Sequence, residues 1–344
     1  MTDLEPTHRP RTRPASGTRL RLAGRRMTDL SAALGAVLWF VLAAGVGGAF
    51  DLSTVELYVA LAALVLVPLG IGIAVSARDT NVFTRHYSVV ILGQPPAALA
   101  VVGALAAPQG TLTAMALVVP WLGVTGIIAL FGLRRLLSRG IGPLPALAID
   151  VALLYVPVAA AALFLHVAGI ALRFAPIIVL LTAVHFHYAG FVLPLVVGRV
   201  GRRLTGDVGG FAPTAAGRVA TASTLVIIVG IAMIAVGITF SPLIELLAVV
   251  CFATAVAGFA VLLVWAVVPA VPRLPGLLLT VASLSILWTM ALALAFAVSS
   301  LPGTPSVVTI PEMLRWHGSV NAGGFALPAI LAVRLLERVD ESSA

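Results

Sequence analysis

Of 344 residues, 60% are apolar and 10% charged, and the mean hydropathy is +1.12. A soluble domain carries about 25% charged residues, so most of this chain cannot face water. The formal net charge of +8 comes from arginines spread along the chain between apolar runs, which argues against a nucleic-acid partner.

A helix needs about 20 apolar residues to cross a bilayer, whereas a membrane barrel needs short alternating segments and a polar lumen. The apolar runs here are continuous, and they predict an all-α, polytopic transmembrane bundle of about ten spans. Residues 1–29 come first; they are polar and rich in Arg and Pro, and read as a disordered basic cytoplasmic tail. Within that tail Met27-Thr28-Asp29-Leu30 repeats Met1-Thr2-Asp3-Leu4, which makes Met27 a candidate translation start. The transmembrane domain occupies 30–336, with spans near 30–50, 54–76, 87–107, 111–133, 144–166, 174–198, 219–240, 243–268, 275–299 and 312–335. A short cytoplasmic tail, 337–344, closes the chain. The connections are brief and carry turn residues, as in Ala107-Pro108-Gln109-Gly110 and Ile141-Gly142-Pro143. No loop is large enough for a soluble catalytic domain, which leans against an enzyme.

Arginine placement sets the orientation. Nineteen arginines flank the spans on one side, and only Arg173 and Arg315 fall on the other. The positive-inside rule then puts both termini in the cytoplasm of a plasma-membrane protein. Basic rims also meet anionic lipid head groups favourably. The chain has no lysine, hence no phosphate-binding Gly-x-x-x-x-Gly-Lys-Ser/Thr loop, so it cannot drive transport with ATP by itself. Its one cysteine, Cys251, cannot form an internal disulfide.

Inside the spans, the polar residues are few. Asp150 lies about a turn within the fifth span and suits an interfacial capping or Arg-paired role better than a proton relay. Gln94-Pro95-Pro96 interrupts the third and predicts a kink with a polar pocket. The sixth span carries the sharpest signal, His185-Phe186-His187-Tyr188, because ionisable groups at that depth are costly and mark sites by default. On a helix, His185 and His187 lie about 200° apart, so they face different neighbours.

The tenth span echoes the sixth: Gly190-Phe191-Val192-Leu193-Pro194 recurs as Gly324-Phe325-Ala326-Leu327-Pro328, with His187 opposite Asn321. The glycines let backbones approach, and Pro194 and Pro328 each remove a donor and open the backbone. His317 and Asn321, four apart, share a face. The expected site is lined by His185, His187, Tyr188, His317 and Asn321, with Glu312 and Arg315 paired as a gate at its outer mouth.

His185-Phe186-His187-Tyr188 also resembles the haem-bearing helix of haem–copper oxidases, although the further histidines of those enzymes are missing. Simple haem or metal binding through His185 or His187, with His317 across, is therefore one alternative; no cofactor is the default expectation. The wider pattern His185-Phe186-His187-Tyr188-Ala189-Gly190-Phe191, with His317-Gly318, Asn321-Ala322 and Gly324-Phe325, resembles the YndJ-like family of bacterial membrane proteins. That resemblance implies the same many-helix architecture and brings no established substrate or reaction. The leading functional expectation is a secondary transporter or permease of a small solute, with proton coupling through the histidines its most specific form. A non-catalytic membrane scaffold is the other alternative. The expected partners are the bilayer and a small solute or proton.

Overall fold

The computed structural model describes residues 20–22, 24–45, 51–75, 77–205 and 210–342, with backbone alone at 77–84 and 341–342. The ten expected spans form ten helical segments. They are α1 (Met27–Ala43), α2 (Thr54–Ala74), α3 (Ala77–Ala106), α4 (Leu112–Arg139), α5 (Leu144–Val167), α6 (Pro176–Leu204), α7 (Ala215–Phe240), α8 (Pro242–Ala270), α9 (Arg273–Ser299) and α10 (Ile310–Asp340). Nine contain a window long and apolar enough to cross a membrane, while α1 is shorter at 17 residues. Of the basic tail, residues 1–19 lie outside the described residues. Arg21–Leu22 and Arg25–Arg26 pair as a two-residue antiparallel ladder, and α1 starts at Met27. At the other end the last helix runs on to Ser342.

Sequential helices pack as antiparallel neighbours, with α2 at the centre. The apolar window of α2 is 94% buried, against 28% for that of α9, and α2 touches α1, α6 and α10. Lipid tails are as apolar as leucine, so close packing rather than water exclusion holds such helices together. Gly198 shows how close the contact is: a Cβ there would lie 2.4 Å from the Pro145 carbonyl oxygen of α5. Gly324 is equally confined, its missing Cβ standing 2.4 Å from Ser285 Oγ of α9.

Four helices share a backbone irregularity. Wider π turns span Ala62–Leu66 in α2, Phe186–Val192 in α6, Leu263–Val267 in α8 and both Met313–Gly318 and Val320–Ala326 in α10. All but Met313–Gly318 end two residues before a proline, namely Pro68, Pro194, Pro269 and Pro328. The physical reason is local. Proline offers no N–H and its ring crowds the carbonyl of the preceding turn, so the turn opens. All four helices run in the same direction, and the turns of α6 and α10 fall in the same register relative to their prolines. Pro95, Pro96, Pro120 and Pro157 lie in helices that stay α, so proline alone does not produce the irregularity.

Pro95 and Pro96 do not interrupt the helix, and α3 runs from Ala77 to Ala106. Gln94 has another task. In α2 the Val67 N–H reaches back five residues to Ala62, and the next bond, from residue 68 to Ala63, cannot form because residue 68 is proline. The buried Gln94 amide donates to that Ala63 carbonyl at 2.7 Å and accepts from Ser31 Oγ at 3.0 Å. One side chain therefore ties α3 to α2 and α1.

Candidate functional site

The polar groups of α6 and α10 meet beside the contact between the π turns Phe186–Val192 and Val320–Ala326, with His185 just before the first and His317 in the preceding Met313–Gly318 turn. His185 and His317 lie face to face, with ring centroids 6.3 Å apart and planes inclined by 30°. His185 Nδ1 is 2.7 Å from the Leu181 carbonyl, and His317 Nδ1 is 2.9 Å from the Thr289 carbonyl of α9. A carbonyl only accepts, so both neutral rings carry their proton on Nδ1. Asn321 Nδ2 then donates to His317 Nε2 at 3.1 Å, while Thr289 Oγ1 donates to Asn321 Oδ1 at 2.9 Å. Thr289, Asn321 and His317 thus close a ring of hydrogen bonds between α9 and α10.

A second set stitches α2 to the same region. Tyr188 donates to the Tyr58 carbonyl at 2.9 Å. The Tyr58 hydroxyl lies 2.6 Å from Ser319 Oγ and 3.3 Å from the Leu314 carbonyl.

The structure therefore brings His185, His317 and Asn321 together and places Tyr188 beside them, but it turns His187 away. His187 is fully buried on the other face of α6, 6.0 Å from the Trp121 ring of α4. Gly190 packs on Tyr155 of α5, where a Cβ would lie 3.3 Å from the Tyr155 Cβ. The expected gate is a correction: among the described residues Glu312 and Arg315 form no ion pair. The Glu312 carboxylate takes the Thr309 N–H at 2.8 Å and its hydroxyl at 2.7 Å, closing a capping box at the start of α10. The Arg315 guanidinium lies over Trp316, 5.0 Å from the ring centre. Thr309-Ile310-Pro311-Glu312 carries the capping-box signature, so this arrangement was readable. Trp121, Thr289, Tyr58 and Ser319 gave no signal, being ordinary residues in apolar runs until distances are known.

Among the described residues, no three His, Cys, Asp or Glu side chains stand close enough to share a metal ion. His317 has both ring nitrogens engaged, so ligating haem iron would require breaking a bond to Asn321 or Thr289. A small cavity of about 20 Å³ lies among α6 to α10, lined by Leu193, Leu263, Ser283 and Phe325 and by none of the histidines.

At the arginine-bearing end the bundle is tied by two charge clusters. Glu337 accepts from Arg26 at 3.3 Å, Arg334 at 3.4 Å and also Arg199. Asp29 accepts from Arg334 at 2.7 Å and Arg338 at 3.0 Å. These contacts join α1, α6 and α10. The second cluster surrounds the fully buried Asp150, with Arg135 at 3.0 Å and Arg139 at 2.5 Å. Arg135 also donates to the Ala74 carbonyl at the end of α2, where the helix dipole favours a cation.

The family model described as YndJ-like protein matches residues 57–325, from α2 into the π turn of α10. The chain belongs to the YndJ-like proteins. Among curated proteins it is similar to the "Uncharacterized membrane protein YndJ" of Bacillus subtilis (strain 168), 28% identical over 216 residues. That match covers 62% of this chain and 37% of the relative, so the chain spans well under half of the relative's length. No solved structure matches. The matched region of this YndJ-like chain contains His185, His187, Tyr188, His317 and Asn321 together with Thr289.

Proposed function

We propose that this YndJ-like chain is a secondary transporter of a small solute in the plasma membrane, with both termini in the cytoplasm and proton coupling through His317. The observation that carries the reading is the pair of imidazoles facing each other 6.3 Å apart, with His185 at the edge of the α6 π turn and His317 within the Met313–Gly318 π turn of α10. π turns in membrane and soluble helices concentrate at functional sites, and buried ionisable groups at this depth are costly without a task. Nineteen arginines at one end against two at the other support the orientation.

The hydrogen-bonded ring supplies a coupling device. Imidazole is the side chain whose ordinary pKa lies nearest neutrality. Protonating His317 turns Nε2 from acceptor into donor, so Asn321 must rotate its amide and present Oδ1. Its Nδ2 then faces Thr289 Oγ1, whose own proton has the Ile286 carbonyl available at 3.1 Å. One proton on α10 thereby rearranges a bond to α9.

The test starts from purified protein screened by thermal shift against small solutes at acidic and neutral pH. A solute that stabilises the wild type but not Asn321→Leu is the expected result, with proteoliposome uptake of that solute coupled to pH and uncoupled in His317→Gln. Proton flux no faster than in empty vesicles, with no stabilising solute, would leave the histidines as inter-helix ties and the protein a scaffold.

A further inference from the structure

The opposite face of the α6 π turn carries a second polar locus that the transport reading does not use. His187 and Trp121 are both fully buried, and among the described residues neither His187 Nε2 nor Trp121 Nε1 has a hydrogen-bond partner. Their roles are complementary. His187 Nδ1 lies 2.8 Å from the Ala183 carbonyl, so it carries the proton and Nε2 offers a lone pair. The indole N–H can only donate. The two rings are neighbours, with centroids 6.0 Å apart and planes inclined by 33°. The nearest polar side chain one turn along α4, Thr125, spends its own proton on the Trp121 carbonyl at 2.8 Å.

We propose that Trp121 and His187 bind one water molecule between α4 and α6. The guest must accept from an indole and donate to an imidazole without carrying charge, and water is the smallest molecule that does both. Leaving a donor and an acceptor unpaired in an apolar interior costs more than immobilising one water. The site stands apart from the His185–His317 pair, and it holds whether or not the protein transports anything.

The experiment uses the full chain in lipid with ¹⁵N-labelled histidine and magnetic-resonance transfer of polarisation from water. His187 is identified by the signal lost in His187→Gln. The expected wild-type result is the Nδ1-protonated tautomer, with Nε2 receiving polarisation from a slowly exchanging water, and loss of that transfer in Trp121→Phe. No transfer in the wild type, transfer unchanged in Trp121→Phe, or direct indole-to-imidazole coupling would each overturn the water. Thermal unfolding adds an independent check. Trp121→Phe and His187→Leu should each lower the Tm, and the double variant should lose less than the two losses added, since it leaves neither group stranded. Additive losses would argue against any link between the two side chains.

Discussion

At the scale of single residues, Asp150 shows how charge is carried in this bundle. Its carboxylate is fully buried between Arg135 and Arg139, and a buried pair is strongly sensitive to loss of one partner. Asp150→Asn should therefore destabilise the protein by about 3–5 kcal/mol, read as a lower unfolding temperature in detergent. A wild-type unfolding temperature in that variant would show that water reaches the cluster. Asp150's position left a capping or an Arg-paired role open, and the structure gives the pairing. The division of labour between His185 and His187 was not. Their separation around the helix follows from helical geometry, but which neighbour each meets depends on the π turn between them and on how α4 and α10 sit against α6. Asn321 and His187 occupy matching places in the α6–α10 echo, yet one turns to α9 and the other to α4.

At the scale of elements, the α2–α3 contact offers a rescue experiment. Gln94→Leu strands the Ala63 carbonyl and should cost about 1–3 kcal/mol. Pro68→Ala returns the missing main-chain N–H, so the double variant Gln94→Leu/Pro68→Ala should recover much of the lost stability. Failure to recover would mean that Ser31 and side-chain packing, rather than the Ala63 bond, make Gln94 matter. The π turn of α6 can be tested in the same spirit. Deleting Ala189 removes the extra residue and turns the two halves of α6 by about 100° relative to each other. In a Cys251→Ala background, a short bifunctional thiol reagent should join His185→Cys to His317→Cys, and the deletion should abolish the crosslink. The prolines that end these turns were visible in the sequence. The widening was not, because Pro120 and Pro157 stand in runs just as apolar and leave their helices regular.

At the scale of the whole molecule, span number and most boundaries followed from apolar runs, with α1 and the C-terminal ends of α6 and α10 among the exceptions, and the arginine bias gives a direct test of topology. A membrane-impermeant thiol reagent added to intact cells should label Ser306→Cys, in the α9–α10 connection, and spare Ser138→Cys near the end of α4, again without Cys251. Reversed labelling would invert the orientation. Which helix lies at the centre was hidden from the sequence, since α2 is no more hydrophobic than α7 or α8 yet is far more buried. Its position depends on packing partners distant in the chain, and hydropathy does not record them.

The shortness of α1 has a consequence for the lipid around it. Seventeen helical residues rise about 25 Å, while the hydrocarbon of a typical bilayer is about 30 Å thick. The helix does not continue past Ala43, since Gly45 turns into the left-handed region at φ +63°. At its other end Arg26 and Asp29 are fastened to α10, so α1 cannot slide to centre itself. Local thinning of the bilayer along that flank is the expected accommodation. Lengthening the acyl chains of the host lipid should lower the unfolding temperature, and short-chain lipids should restore it.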